Sequence, residues 1–281
     1  MADPITLEQP ATTGFTDGQF VGANGAAGGS SPPGSFRGFA ASSLNFWRIP
    51  PVTPSCAERR PASASPNKLI IYINGINTTR DVHAYTVKMV SVISGANAIG
   101  IYNQSGDGES TNMFFDLVQC LGDKLGLSNN PATNTAAKCI FDACVNRNFL
   151  NIAAHSQGAL ITSRALRQGI GMLLDRYGRA NRNVRPLIDQ VERRRNFFQR
   201  VGRNIIGADD VDRMRLEAAL RRYILPTVES QLSGYVSVQT FGGAGSFFPN
   251  GPRYRHVNNG WDPVSNAVGQ GAWVSGGGRG A

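Results

Sequence analysis

The sequence lacks any long apolar segment. No stretch approaches the roughly 18 consecutive apolar residues of a membrane-spanning helix. The first residues, Met1 to Glu8, contain neither the basic n-region nor the apolar h-region of a secretory signal peptide. These absences predict a protein that is cytoplasmic as synthesised, with no signal peptide and no transmembrane segment, and they leave export by a non-classical route open.

Metal-binding patterns are also lacking. The four cysteines include no Cys-x-x-Cys pair, and no histidine stands at metal-ligand spacing from them. We therefore expect no metal site and no other cofactor. Buried free thiols are the simplest interpretation of the four residues, which are Cys56, Cys120, Cys139 and Cys144.

Acidic residues are too few to balance the basic ones, and the formal net charge is +9. Between Arg164 and Arg222 there are 15 Arg but only 7 Asp or Glu, so this region carries nearly all of the excess. It could be a solvated helical face, a surface for an anionic membrane or another acidic partner, or a nucleic-acid contact. The pattern favours the first and makes nucleic acid the weakest, because Arg193 to Arg195 spread around a helix without an aromatic platform or a known nucleic-acid-binding motif.

The chain divides into a start rich in Gly and Pro and a longer region with a clear apolar pattern. Residues 1–66 contain 8 Gly and 9 Pro, and their apolar residues follow neither a helical nor a strand period, which predicts a loosely ordered N-terminal segment. Residues 67–281 are enough for one large core. We predict a single domain there, with an Arg-rich helical insertion at about 176–232 that is kinked at Pro226.

Apolar runs alternate with helical repeats in residues 67–281. The pattern predicts strands over 69–73, 98–102, 149–153, 235–241 and 254–257. It predicts helices over 81–94, about 114–125 and 136–145, and another directly after the third strand. Short, nearly all-apolar strands are typical of a parallel sheet that is buried on both faces. The alternation predicts an α/β fold with a doubly wound, mostly parallel sheet.

A serine stands at the junction of a predicted strand and a predicted helix. Ala154-His155-Ser156-Gln157-Gly158 follows the Gly-x-Ser-x-Gly nucleophile elbow, with alanine at the first position. A serine hydroxyl is a poor nucleophile, so a serine hydrolase holds it on a strained turn and supplies a base and oxyanion donors. Alanine is still small enough for strand and helix to approach closely. We predict that Ser156 is a nucleophile, and an ordinary helix N-cap is the alternative.

Two other segments fit the same chemistry. The N–H of Gln157 is expected to donate to an oxyanion, together with an N–H of Ile76 or Asn77 in the loop that Gly75 lets turn tightly. A plain Asn-Gly turn is the alternative for that loop. Asp262 follows the serine in the chain, as the acid of a triad does, although an Asp-Pro turn without chemistry would look the same.

The order of these motifs resembles the α/β-hydrolase superfamily, particularly its lipase-like and bacterial esterase-like branches. The resemblance covers about Lys68 to Val264 and rests on four segments, 73–78, 154–160, 240–243 and 257–264. It implies a serine hydrolase of carboxylic esters, including lipids. In this resemblance Ser156 would be the nucleophile and Asp262 the acid, and Gln157 with the Gly75 loop would form the oxyanion site.

The family pattern places a catalytic histidine after the acid, and here the sequence departs from it because no histidine follows His256. His256 ends the last predicted strand and is the best internal candidate for the base, although a strand histidine held by backbone partners is commoner. His155 adjoins Ser156 on a tight turn, where neighbours point apart, and His83 is expected on a helix surface. A catalytically impaired or C-terminally incomplete hydrolase-fold binding module is therefore the alternative to an esterase.

Overall fold

A computed structural model describes residues 18–22, 69–76, 78–94, 96–104, 130–201, 208–243 and 248–257. These residues form an α/β fold with one six-stranded sheet. Five strands are parallel, and the sixth joins one edge in the antiparallel direction. The prediction of an α/β fold with a mostly parallel sheet is confirmed.

The sheet has the strand order β1-β3-β2-β4-β5-β6. Its strands are β1 Phe20–Gly22, β2 Leu69–Ile73, β3 Asn97–Ile101, β4 Leu150–His155, β5 Val236–Phe241 and β6 Arg253–Val257. The last five lie within two residues of the predicted strands. In the centre of the sheet Ile73, Ala154 and Thr240 are side by side, so the carboxyl ends of β2, β4 and β5 meet at one edge.

The helices that the structure describes are α1 Arg80–Ser94, α2 Pro131–Asn146, α3 Gln157–Ala180, α4 Arg185–Val201, α5 Ala208–Tyr223 and α6 Leu225–Tyr235. The helix predicted over about 114–125 lies outside the described residues. Among the described helices, none has both the length and the apolar character needed to cross a bilayer.

Both faces of the sheet are covered. On one face Ile71, Ile152 and Val238 belong to the main core, to which α2, α3 and α6 also contribute. On the other face Tyr72 packs with Val87 of α1 in a smaller cluster. Since successive strand residues point to opposite faces, the apolar runs of β2 and β3 contribute to both layers.

The predicted kink at Pro226 is wrong. Helix α5 ends at Tyr223, and Pro226 lies in the first turn of α6. A helix leaves its first N–H groups without partners inside the helix, so a residue with no N–H fits there at no loss of a hydrogen bond. Pro226 therefore lies in the first turn of a helix and not in the interior of one.

Candidate functional site

Ser156 occupies a sharp turn between β4 and α3 at the carboxyl edge of the sheet. Its backbone angles are φ 52° and ψ −119°. Its N–H donates to the carbonyl oxygen of Phe241 at 3.0 Å, and its own carbonyl oxygen accepts from the N–H of Ala159 at 3.0 Å. The turn is thus fastened to β5 on one side and to α3 on the other.

The conformation of Ser156 is rare for a residue with a side chain. Among the described residues other than glycine, only Arg147 shares a positive φ, and Arg147 lies in the ordinary left-handed well with φ 55° and ψ 40°. The ψ of Ser156 lies far from that well, in a region that costs about 1–3 kcal/mol. Hydrogen bonds on both sides hold this strain at a serine whose surface is 9% exposed.

Two glycines allow the turn to pack this closely. A Cβ on Gly158 would lie 2.4 Å from the carbonyl oxygen of Ile73, and a Cβ on Gly75 would lie 2.7 Å from Cβ of Ser156. Both distances are shorter than real contacts of a Cβ atom. Gly158 therefore permits α3 to begin against the end of β2, and Gly75 brings the loop after β2 against the serine.

Replacing Gly158 with alanine should lower the free energy of unfolding by about 3 kcal/mol, the upper end for overpacking. The neighbouring atoms are backbone atoms of Ile73 and Asn74, which cannot move aside as a flexible side chain would. The control is Gly171→Ala on the same helix, where an added Cβ meets no described atom within 4 Å. That variant should gain up to about 1 kcal/mol from helix propensity. Urea unfolding measures both, and equal effects would contradict the close packing at Gly158.

The residues expected to donate to an oxyanion lie on either side of Ser156. Gln157 is the first residue of α3, and its side chain is 1% exposed. Gly75 is buried and Ile76 half-buried in the loop after β2, and Asn77 lies outside the described residues. First-turn N–H groups and the helix dipole favour negative charge at a helix N-terminus. The structure brings Gly75 and Gln157 together with Ser156.

A chain of buried amide side chains lies behind this turn, and the sequence pattern did not predict it. Asn103 Nδ2 donates to Oε1 of Gln157 at 2.9 Å, and its N–H donates to Oδ1 of Asn74 at 2.8 Å. Nδ2 of Asn130 donates to Oδ1 of Asn103 at 3.0 Å. Asn74 and Asn103 follow β2 and β3, Asn130 precedes α2, and Gln157 begins α3, so the fold, and no local motif, brings them together.

His256 lies in β6 opposite Thr240 and is half-buried. Its Nδ1 is 2.8 Å from Oγ1 of Thr240, and its ring stacks on Tyr254. Burial lowers its pKa. Between β6 and β4 lies one strand, so the two backbones are about 10 Å apart at the usual strand spacing. The structure therefore pairs His256 with Thr240 and forms no hydrogen bond between its ring and Ser156.

The other histidines differ from each other in exposure. The expectation that His83 lies on a helix surface is wrong, because it is fully buried between the rings of Tyr72 and Tyr102, with centroids at 5.4 and 5.3 Å. Burial lowers its pKa to about 3. Helix α1 places it against Gly100 of β3, where a Cβ would lie 2.1 Å from its Nε2. His155 is exposed at the end of β4.

Some predicted features lie outside the described residues, and others can be placed. Asp262 lies outside them, five residues beyond the end of β6 at Val257. Of the four cysteines, Cys139 and Cys144 are described; both are buried free thiols, and burial raises the pKa of each. The two are accordingly unreactive packing residues of α2.

The chain matches no protein-family model, no curated protein and no solved structure. The geometry around Ser156 is therefore the basis of its proposed function.

Proposed function

We propose that the chain is a serine hydrolase of the α/β-hydrolase type that cleaves carboxylic esters, with Ser156 as the nucleophile. The observation that carries the proposal is the strained backbone of Ser156 where a central parallel strand meets a helix. A nucleophile elbow has this arrangement, because the turn projects the hydroxyl at the carboxyl edge of the sheet. Gly75 and Gly158 support it, since both permit contacts that any side chain would block.

The proposed reaction proceeds through an acyl-serine. Oγ of Ser156 bonds to the ester carbonyl carbon as its proton leaves to a base, and the carbonyl electron pair moves onto oxygen. The N–H groups of Gln157 and Ile76 stabilise that oxyanion. Collapse breaks the bond to the alcohol, which departs with the proton. Water then attacks the acyl-serine in the same way, releasing the carboxylic acid and restoring the serine hydroxyl.

We assign the acid role to Asp262, because a triad acid follows the serine in chain order. His256 is the proposed base. Its Nδ1 is engaged with Thr240, so Nε2 is the nitrogen that would take the proton. The spacing of about 10 Å between β6 and β4 is larger than one change of rotamer can bridge. The base role therefore requires the segment around His256 to move when substrate binds.

A binding module on the same scaffold, without turnover, is the second candidate function. It is favoured by the position of His256, whose Nδ1 is bonded to Thr240 and whose strand is separated from β4 by β5. Such a module would bind an ester or a lipid at the carboxyl edge of the sheet and leave it intact.

Hydrolysis of p-nitrophenyl esters with short and long acyl chains tests the proposal and separates the two candidates. An esterase releases nitrophenol repeatedly, at a rate that depends on Ser156. A binding module protects the ester, or releases at most one equivalent. Background hydrolysis that is unchanged by the protein would contradict the esterase proposal.

The Arg-rich region supports a proposal about where the enzyme acts, namely at an anionic membrane surface. On α5 the side chains of Val211 and Met214 are 45% and 61% exposed, and Arg213 and Arg215 beside them are exposed as well. A surface of anionic lipid attracts arginines by their charge, and exposed apolar side chains beside them can enter the lipid. Several other arginines of the region are held in ion pairs, namely Arg179, Arg185, Arg194 and Arg221.

Vesicle co-sedimentation tests this surface. Arg213→Ala combined with Arg215→Ala should weaken binding to phosphatidylglycerol vesicles about tenfold or more, since each arginine near such a surface contributes about 1 kcal/mol. The control, Arg253→Ala with Arg255→Ala, makes the same change in net charge on β6. Binding that is equal on neutral phosphatidylcholine vesicles, or that is insensitive to salt, would exclude the proposal.

A further inference from the structure

The buried amide chain behind Ser156 joins the two segments that carry the proposed oxyanion donors. Three of its side chains, those of Asn74, Asn103 and Gln157, are at most 1% exposed, and Asn130 is 8% exposed. A buried amide must find hydrogen-bond partners or lose several kcal/mol of solvation, so a cluster of them is costly unless each is satisfied.

The first segment is the loop after β2. The carbonyl oxygen of Gly75 accepts from Nδ2 of Asn74 at 2.9 Å and from Oγ1 of Thr78 at 3.1 Å. A trans peptide unit is planar, with its C=O and N–H pointing in opposite directions. Fixing the carbonyl of Gly75 therefore fixes the direction of the N–H of Ile76.

The second segment is the first turn of α3. Oε1 of Gln157 accepts from Nδ2 of Asn103 at 2.9 Å. Because the side chain of Gln157 is buried and held at its tip, the residue that begins α3 has little freedom to rotate about its backbone. Its N–H, the other proposed donor, is held with it.

Asn103 connects the two segments. Its N–H donates to Oδ1 of Asn74, and its carbonyl oxygen accepts from Nδ2 of the same side chain, each at 2.8 Å. Its own side chain reaches Gln157, so one residue fixes both segments with respect to each other.

The orientation of the Asn103 amide is itself determined. Asn130 accepts from the N–H groups of Ala132 and Thr133 through Oδ1, so its Nδ2 must face the other way, toward Oδ1 of Asn103. The Nδ2 of Asn103 is thereby left to Gln157. The N-cap of α2 thus sets the direction of the side-chain bonds that run from Asn130 through Asn103 to Gln157.

We propose that Asn103, together with Asn74, is a positioning residue that fixes the spacing between the two backbone donors of the oxyanion site. The inference rests on the proposed function, because donors need this spacing only where an oxyanion forms. Neither side chain touches the substrate. Both act through the N–H groups of Ile76 and Gln157.

The test is Asn103→Asp in the full chain, which keeps the shape of the side chain but removes the donor to Gln157. With p-nitrophenyl acetate as substrate, kcat should fall about tenfold to a hundredfold while KM changes less than about twofold, since oxyanion contacts form in the transition state. The affinity for a trifluoromethyl ketone, which mimics the tetrahedral species, should fall by the same factor as kcat.

Two more variants keep the test decisive. Asn74→Asp removes the donor to Gly75 but keeps the acceptor for Asn103, and it should show the same split between kcat and KM if Asn103→Asp does not fold. Gln168→Glu is the control, because it makes the same change to an amide-to-amide bond between α3 and α2, remote from Ser156.

The outcomes separate this inference from the proposed function. The inference alone would be overturned if the wild type turns over the ester and neither Asn103→Asp nor Asn74→Asp has a kcat lower than that of Gln168→Glu. A wild type that neither turns over the ester nor binds the trifluoromethyl ketone would overturn the proposed function and this inference with it.

Discussion

Replacing Ser156 with alanine should lower the hydrolysis of aryl esters at least about a thousandfold, the scale on which removal of a nucleophile acts. Alanine keeps the Cβ, so the backbone at φ 52° and its two hydrogen bonds should persist. The free energy of unfolding should therefore change by less than about 1 kcal/mol, as for other substitutions that neither empty nor overfill a core. Loss of activity without loss of stability would identify a chemical role.

The matched control is Ser163→Ala. Ser163 is a buried serine of α3, less than two helical turns after Gln157. It lies away from the β4–α3 turn that holds Ser156. It should retain ester hydrolysis within about twofold, as expected of a residue outside the reaction centre. Activity that survives Ser156→Ala, or that falls equally in both variants, would refute the assignment of Ser156.

Acid should destabilise the protein through His83. Burial lowers the pKa of this imidazole from 6.5 to about 3. Above pH 6.5 the ring is neutral in the folded and the unfolded chain, and the full stability is present. As the pH falls below 6.5, the imidazole of His83 becomes protonated in the unfolded chain but stays neutral in the folded one. The folded state therefore loses stability until the pH nears 3. The loss should reach about 3 kcal/mol at pH 4, at about 1.4 kcal/mol per pH unit.

Urea unfolding of the wild type and His83→Leu at pH 7 and pH 4 isolates this effect. Leucine lowers the stability at both pH values, but the difference between them should shrink by about 3 kcal/mol because the titrating ring is gone. His155→Gln is the control, because it removes an exposed histidine and leaves the buried ring of His83 in place. Equal pH dependence in the wild type and His83→Leu would show that His83 protonates in the folded state.

Most strands of the sheet could be predicted because each is a short run in which apolar residues fill at least one buried face. Strand β2 coincides with its apolar run, Leu69 to Ile73. Strand β4, Leu150 to His155, begins and ends close to the ends of its apolar run. Strand β1 could not be predicted, since it has only three residues, Phe20 to Gly22, in a region rich in Gly and Pro. It is held by pairing with β3, which lies about 80 residues further along the chain.

The candidate site could be predicted only in part, for a similar reason. The turn at Ser156 could be predicted, because residues 154–158 are a local pattern of five residues between a strand and a helix. The amide chain joins Asn74, Asn103, Asn130 and Gln157, whose pairwise bonds span 27 to 54 residues. An asparagine in a loop predicts a turn. Whether the asparagine side chain is buried depends on how the carboxyl ends of the parallel strands converge. The burial of His83 could not be predicted for the same reason, because the helical period alone does not tell which polar residue faces a buried strand.

The most direct test of the proposal is a crystal structure of the protein after reaction with a fluorophosphonate. We expect a covalent bond between phosphorus and Oγ of Ser156, formed as fluoride leaves. The phosphoryl oxygen should lie about 2.7–3.1 Å from the backbone nitrogens of Gln157 and Ile76, the range for oxyanion donors. An unmodified Ser156, or an adduct whose phosphoryl oxygen faces neither nitrogen, would contradict the account.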